Sequence, residues 1–347
     1  MQRIYLDHNA TTPLRQEARA AMVDAMDVCG NPSSVHAEGR AAKALMERAR
    51  AEIAEALGAE GADIIFTSGA TEAAALACAG RDLHCGDMEH DAVRAWCSTD
   101  LPVDPDGQVS AKHPGHCAVQ LANSETGIVQ NLPAGLALSD MTQAFGKMPV
   151  DFNASGAAMA LVSAHKLGGP KGIGALVIRR GVDVPAQIKG GGQEMGRRSG
   201  TENVIGMAGF AACAKAAQQD LAAGAWERVK ELRKILENTL AADAKTTIFV
   251  GKDVNRLPNT VCMATPGWKG EAQVIQMDLA GIAISAGSAC SSGKVRASTV
   301  LKSMGFDDET ASCAIRVSLG KETTKDQVLR FADVWLEKER KFRARAA

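Results

Sequence analysis

Lys166 stands in SAHKLGGPKG (163–172), where a β-rich run ends and a glycine-rich turn begins, with Ser163 and His165 beside it. A lysine leaving a strand end between a hydroxyl and an imidazole is placed to form an imine with an aldehyde cofactor. Upstream, in LALSDMTQAFGK, Asp140 follows another strand-like run. A carboxylate there can keep a pyridine nitrogen protonated, which is what a pyridoxal ring needs to draw electrons. Earlier still, IIFTSGATEAAALACA reads as strand, small-residue turn and helix start, so Gly69, Ala70 and Thr71 would offer unpaired backbone N–H groups to an anion. Glu72, in that first turn, reads as compensation of the helix dipole. Phosphate cradle, ring-nitrogen carboxylate and imine lysine, in that chain order, make a site for pyridoxal 5′-phosphate (PLP). A further stretch, SAGSACSSG (285–293), sets the thiol of Cys290 among small residues. Alone it reads either as a linker with a stray cysteine or as a mobile arm built to carry a nucleophile.

These groups need a scaffold. The runs IIFT (64–67), VQLA (119–122), LAL before Ser139, ALVS (160–163) and ALVI (175–178) alternate with longer or glycine-rich segments. That pattern predicts an α/β fold with a mostly parallel central sheet and crossover helices. Ligands in such sheets sit beyond the carboxyl ends of the strands. From about Met207 an Ala-rich helical stretch runs towards Gly224, and another from Ala225 to Ala241 sets Val229, Leu232, Leu236 and Leu240 on one face. Short strands follow at IFV (248–250), TVCM (260–263), IAIS (282–285) and IRVSL (315–319). A last helix is opened by a capping box of Thr324 and Gln327, with Val328, Phe331 and Trp335 on its apolar face. The expected division is a large domain over 15–220 and a smaller α+β domain built from 1–14 and 221–347.

The balance of the chain bounds its partners. It has 347 residues, 46% hydrophobic and 23% charged, with a formal net charge of -1, as in ordinary soluble globular proteins. No field that would steer nucleic acid follows from that charge. MQRIYLDHNATTP lacks a secretory pattern, and no run reaches the ~18 apolar residues of a membrane span, so a cytoplasmic protein without membrane contact is expected. Nine cysteines without a C-x-x-C fit neither a disulfide framework nor a zinc ribbon, so most are expected as reduced, buried thiols. His113, His116 and Cys117 in KHPGHC form the densest ligand-like cluster, and the Pro and Gly between them favour a plain loop. The basic end KERKFRARAA reads as a solvated helix terminus.

The chain resembles the class V aminotransferase family and, within it, the cysteine desulfurases. The resemblance runs in order through YLDHNATTP (5–13), NPSSVHAEGR (31–40), FTSGATEA (66–73), EHDAV (89–93), NSETGIVQ (123–130), DMTQAFGK (140–147), SAHKLGGPKGIGAL (163–176), GGGQEMGRRSGTENV (190–204), SAGSACSSGKV (285–295) and IRVSLG (315–320). It implies a fold-type I PLP-dependent transferase in which Lys166 carries the cofactor and His90 stacks on its ring and moves protons. Asn123 would lie near the ring oxygen and the substrate, Asp140 would meet the ring nitrogen, and Gln143 would bond the ring oxygen. Thr71, Ser163 and His165 would hold the phosphate, and Thr201 would reach the phosphate of a neighbouring subunit, implying a homodimer. Arg316 would bind the carboxylate of L-cysteine, a task suited to a guanidinium fork. Cys290 would take the sulfur as a persulfide, helped towards its thiolate by Lys294 and Arg296, and pass it to an acceptor such as an iron–sulfur scaffold. In that setting Cys290 would be a metal ligand only when sharing a nascent cluster with a partner.

Spacers at about Leu76–Met88, at Gly107–Ala118 and before Asp140 are shorter than the family pattern. Ala74, Ala75 and Thr299 stand where the family has other residues. The rival readings are a selenocysteine lyase or small amino-acid aminotransferase on the same cofactor, and a non-catalytic scaffold for iron–sulfur assembly.

Overall fold

The computed structural model describes residues 3–287 and 297–346. The chain opens with β1 (Ile4–Tyr5), α1 (Gln16–Met26) and α2 (Ala37–Ala56), then enters the central sheet at β2 (Asp63–Thr67). Next come α3 (Ala70–Cys78), β3 (His84–Gly86), α4 (Asp91–Arg94), β4 (Ser98–Leu101), β5 (Cys117–Ala118), β6 (Leu138–Asp140), α5 (Phe152–Ser155), β7 (Met159–Ser163) and β8 (Gly174–Ile178). Beyond α6 (Val204–Ala222) and α7 (Ala225–Asp243) lie β9 (Ile248–Phe249), β10 (Thr260–Ala264), α8 (Gly270–Leu279), β11 (Ile282–Ala283) and β12 (Ser285–Ala286). The chain ends through α9 (Thr299–Ser303), α10 (Asp308–Ser312), β13 (Ala314–Ser318) and α11 (Lys325–Ala346).

Among the described residues, seven strands form one sheet in the order β2-β8-β7-β6-β5-β3-β4. The pairs β7–β6, β6–β5, β5–β3 and β3–β4 are parallel, as the alternating pattern predicts. β8 is the exception and runs antiparallel to both β7 and β2. The connection 164–173 is too short for a crossover, so the chain must turn straight back. Strand alternation divides the core. Phe66, Val162 and Val177 pack with Phe145 and Phe210 on one face, whereas Ile65, Leu161 and Leu176 pack with Ala73 and Ala77 of α3 on the other.

The VQLA run does not extend as a regular strand: β5 ends at Ala118. The cause is a side chain that competes for the ladder, because the backbone N–H of Gln120 donates to Oε1 of buried Glu89 at 2.6 Å. Only Val119 and Leu121 still donate towards β6, to the carbonyls of Leu138 and Asp140. The IAIS run splits at Ile284. β11 joins β1 in parallel, and β12 joins β13 antiparallel in a second sheet ordered β12-β13-β10-β9.

Against that second sheet α7 buries Val229, Leu232, Leu236 and Leu240, the face its spacing predicts, together with Phe331 and Trp335 of α11. Each such side chain removed from water contributes roughly 1.5–3 kcal/mol. The capping box of α11 is formed: Thr324 N–H donates to Gln327 Oε1 at 3.0 Å, and Gln327 N–H to Thr324 Oγ1 at 3.3 Å. Among the described residues no helix is long and apolar enough to cross a membrane. In KHPGHC the buried Cys117 thiol donates to the His113 carbonyl, and no group of three or more His, Cys, Asp or Glu side chains among the described residues is arranged to hold a metal.

Candidate active site

Strand direction brings the chemistry together. β6 and β7 are parallel neighbours, so Asp140 and Ser163, their last residues, emerge on the same edge of the sheet. Gly174, the first residue of β8, pairs with both Ser163 and Thr67, which closes β2 onto the same edge. A Cβ on Gly174 would lie 2.7 Å from Gly69 Cα and 2.6 Å from the Val162 carbonyl, so only glycine lets the Gly69 turn tuck in here. Residues Asp140, Gln143, Ser163, His165 and Lys166 then face the N-terminus of α3 across a cavity of about 680 Å³ that Gly69, Ala70, Thr71, His90 and Arg316 also line.

The donor set of this cavity fits PLP. The first N–H groups of α3 have no partner within the helix, and Thr71, Ser163 and His165 stand beside them. Ser68 N–H donates to Glu72 Oε2 at 2.8 Å while Arg198 Nε donates to Oε1 at 2.7 Å, so Glu72 ties the cradle to the Arg198 loop. Burial alone would raise the Glu72 carboxyl, but the hydrogen bonds from Arg198 and Ser68 hold it below its ordinary range. Burial, and then the charges of Lys166 and Lys171, pull His165 down to about 4, so near neutral pH it is an uncharged imidazole. Its Nδ1 lies 3.1 Å from Thr11 Oγ1.

Lys166 Nζ donates to the carbonyls of Asn9 (2.8 Å) and Ala10 (2.9 Å), which aims it at the cavity from the segment after β1. Asp140 Oδ1 accepts the Thr142 N–H at 2.9 Å, a turn that fixes the carboxylate at the strand end. His90 caps α4: its Nδ1 accepts the Ala92 N–H at 3.1 Å, which leaves the proton of a neutral ring on Nε2. Gln143 is held at both ends, Nε2 donating to the Asn9 carbonyl (2.9 Å) and Oε1 accepting from Lys147 Nζ (2.5 Å).

Lys147 is a residue that sequence reasoning missed. Only 2% exposed, it also donates to Asn9 Oδ1 at 3.0 Å, and burial followed by the charges of Lys166 and Arg316 pushes its amine well below the usual lysine range. By engaging the Gln143 carbonyl it turns the amide nitrogen of Gln143 towards the site. Asp7 and Asn9 were missed too. Both lie in YLDHNATTP, but nothing in that run signals that it folds beneath a lysine 157 residues away.

Arg316, 2% exposed, donates to Asp7 Oδ1 (2.8 Å) and the Ser124 carbonyl (3.1 Å), and its buried Nε has no protein partner. A guanidinium so anchored keeps further N–H donors for an anion in the cavity. Arg316→Lys is therefore expected to raise KM for an amino-acid substrate about 10–100-fold, from loss of charge-assisted bonds worth ~1.5–3 kcal/mol. Steady-state kinetics check this, with kcat changing much less.

Asn123 lies beside the cavity residues Ser124 and Gln120. It is buried: Oδ1 accepts from the N–H groups of Glu125 and Thr126, and Nδ2 donates to the Met88 carbonyl. Its short amide satisfies the backbone of a turn that also carries Ser124 to the cavity. Thr201 is exposed and lies outside this cavity. Cys290, Lys294 and Arg296 lie outside the described residues.

The described ends of that segment meet at Glu125. Ser298 Oγ donates to Glu125 Oε2 at 2.5 Å, and a Cβ on Gly287 would lie 3.1 Å from the same oxygen. Burial pushes this carboxyl up to about 7, against the hydrogen bond from Ser298 and the charge of Arg316. The unfolded chain ionises it near the ordinary value of 4.5. Its burial therefore costs stability progressively as pH rises from about 4.5 to 7. Glu125→Gln removes that cost, so the melting temperature of the variant relative to the parent is expected to climb between pH 5 and pH 8. A difference that stays flat or falls would contradict the assignment.

A mostly parallel α/β sheet with a lysine, a strand-end carboxylate and a helix-capped anion cradle converging on one cavity defines a fold-type I PLP-dependent enzyme. The class-V aminotransferase model matches residues 4–97 and 108–331, and the chain belongs to that family. Among its relatives, a cysteine desulfurase of Cereibacter sphaeroides is 38% identical, covering 96% of this chain and 95% of the relative. A cysteine desulfurase IscS of Dictyoglomus turgidum is 35% identical, covering 95% and 93%. The solved structure of a NifS-like protein from Rickettsia africae superposes with a TM-score of 0.88 at 31% identity, covering 97% of this chain and 99% of the other.

Proposed function

We infer that the chain is a cysteine desulfurase, removing sulfur from L-cysteine to give L-alanine through a persulfide on Cys290. The observation that carries this reading is the single cavity uniting Lys166, Asp140, Gln143 and His90 above the α3 cradle, with Arg316 buried at its margin.

Bound PLP supplies an electron sink that weakens the bonds at the substrate's Cα and its Cβ–S bond. Lys166 tethers it, the Gly69–Thr71 turn with Ser163 and His165 holds its phosphate, and Asp140 pairs with its ring nitrogen. Gln143 offers the ring oxygen an N–H, because Lys147 occupies its carbonyl. Arg316 anchors the substrate carboxylate. Lys166, once its amine is free, takes the Cα proton and later returns one. His90 presents Nε2–H on the other side of the exchange. The Cys290 thiolate attacks the substrate sulfur: an S–S bond forms, the Cβ–S bond breaks with its electron pair left on carbon, and protonation releases alanine.

The finer features belong to the same proposal: a homodimer in which exposed Thr201 completes the phosphate site of the second copy, a cytoplasmic setting, and a sulfur-acceptor protein that collects from Cys290. So does the division into 15–220 and 1–14 with 221–347, favoured by the separate apolar clusters around the two sheets. The test is to incubate the PLP-loaded protein with L-cysteine and assay alanine, sulfide and persulfide-bearing peptides. Alanine in step with sulfide, and persulfide on the Cys290 peptide, are expected. Persulfide on another cysteine, or amino transfer that requires a keto acid, would overturn the reading.

A further inference from the structure

Three cysteines meet at the β3–β4 margin of the central sheet, away from any role above. The register pairs His84 with Ser98, so Cys85 and Cys97, each one residue removed, share the opposite face. That face is covered by α3, whose last residue is Cys78. All three pack in one apolar cluster, in which Cys78 and Cys85 are buried and Cys97 is partly exposed. Within this cluster Cys97 packs against the apolar group that holds the Cys78 and Cys85 thiols. Neighbouring thiols that stay protonated favour an anion on the third sulfur. Interaction with Cys78 and then Cys85 lowers Cys97 below the ordinary thiol range, helped by the charge of His84, while Cys78 and Cys85 are pushed up. Arg81 and Arg94 add positive charge around the cluster and Glu89 negative charge. A partly exposed thiol drawn towards its anion, with two buried thiols beside it, has the form of a peroxide-reactive cysteine beside its resolving partner.

We propose that Cys97 is an oxidation site for small hydroperoxides, and that Cys78 or Cys85 resolves it into an intrachain disulfide. In the first step the Cys97 sulfur attacks a peroxide oxygen. An S–O bond forms as the O–O bond breaks, sulfur gives up two electrons, and the remaining oxygen leaves as water or an alcohol. In the second the neighbouring thiol sulfur attacks Cys97, an S–S bond replaces the S–O bond, and the hydroxyl departs as water with the thiol's proton. The buried partners are shielded from peroxide but not from Cys97.

Trypsin separates the three cysteines into peptides 51–81, 82–94 and 95–112, so the disulfide is readable by mass. The PLP-loaded full chain is reduced, freed of reductant, exposed to graded hydrogen peroxide, blocked with N-ethylmaleimide in denaturant and digested without reductant. The expected product joins 95–112 to 82–94 or 51–81 and lacks two hydrogens, at doses that leave buried Cys262 blocked as a free thiol. Cys97→Ser should abolish the link and leave Cys78 and Cys85 fully alkylated. Cys97 still fully alkylated at doses that oxidise exposed Cys29, or joined to the Cys290 peptide instead, would overturn the proposal. Both of those outcomes are read on the parent chain, so they hold even if the variant fails to fold.

Discussion

Cys290→Ser is expected to lower sulfide release from L-cysteine by roughly three orders of magnitude or more, the scale on which loss of an enzyme's nucleophile is felt. The visible absorption of the bound cofactor should persist unchanged. The two readouts separate because the groups that hold PLP come from α3, β6 and β7, while Cys290 comes from the segment between Gly287 and Ala297. A hydroxyl has almost no anion at neutral pH and is a poor nucleophile towards sulfur, so the substrate's Cβ–S bond has no acceptor. Cα–H exchange with solvent should continue, since Lys166 and Arg316 are intact, and deuterium incorporation into cysteine measures it. Sulfide release near the parent rate would remove Cys290 from the reaction.

Lys166→Ala should be the more damaging change. Proton transfer by a placed amine contributes about 10²–10⁴-fold on its own, and the covalent tether to the cofactor goes with it. Exchange at Cα is therefore expected to fall by at least about 100-fold, and borohydride should no longer fix the cofactor to the chain. Lys147 cannot substitute. Its Nζ is committed to Asn9 Oδ1 and Gln143 Oε1 behind the site. Removing Lys166 also removes the charge that helps to depress Lys147, whose amine should titrate higher in the variant. Retention of a reducible bond to PLP would mean that another lysine carries the cofactor.

Several features are legible because their physics is local. The capping box at Thr324 and Gln327 and the α7 face of Val229, Leu232, Leu236 and Leu240 follow from spacing along one helix, and both are formed. The order of Gly69 turn, Asp140 and Lys166 is likewise readable, since each sits at the end of a strand whose direction the alternation predicts. The early end of the VQLA strand is not readable, because a buried carboxylate, Glu89, takes the Gln120 N–H, and no window around residue 120 contains residue 89.

The sequence by itself determined the class of chemistry: which groups exist, which strand ends bear them, and that a thiol stands among small residues at 290. Only the tertiary structure decided which buried polar groups meet. Arg316 finds Asp7 across 309 positions, Lys166 rests on the Asn9 and Ala10 carbonyls, Asn123 binds the backbone of a turn, and three cysteines gather at a sheet margin. The physical reason is that a buried donor or acceptor must find a partner or incur a desolvation cost of about 1–3 kcal/mol. Chain closure chooses that partner, and no pattern along the sequence encodes it.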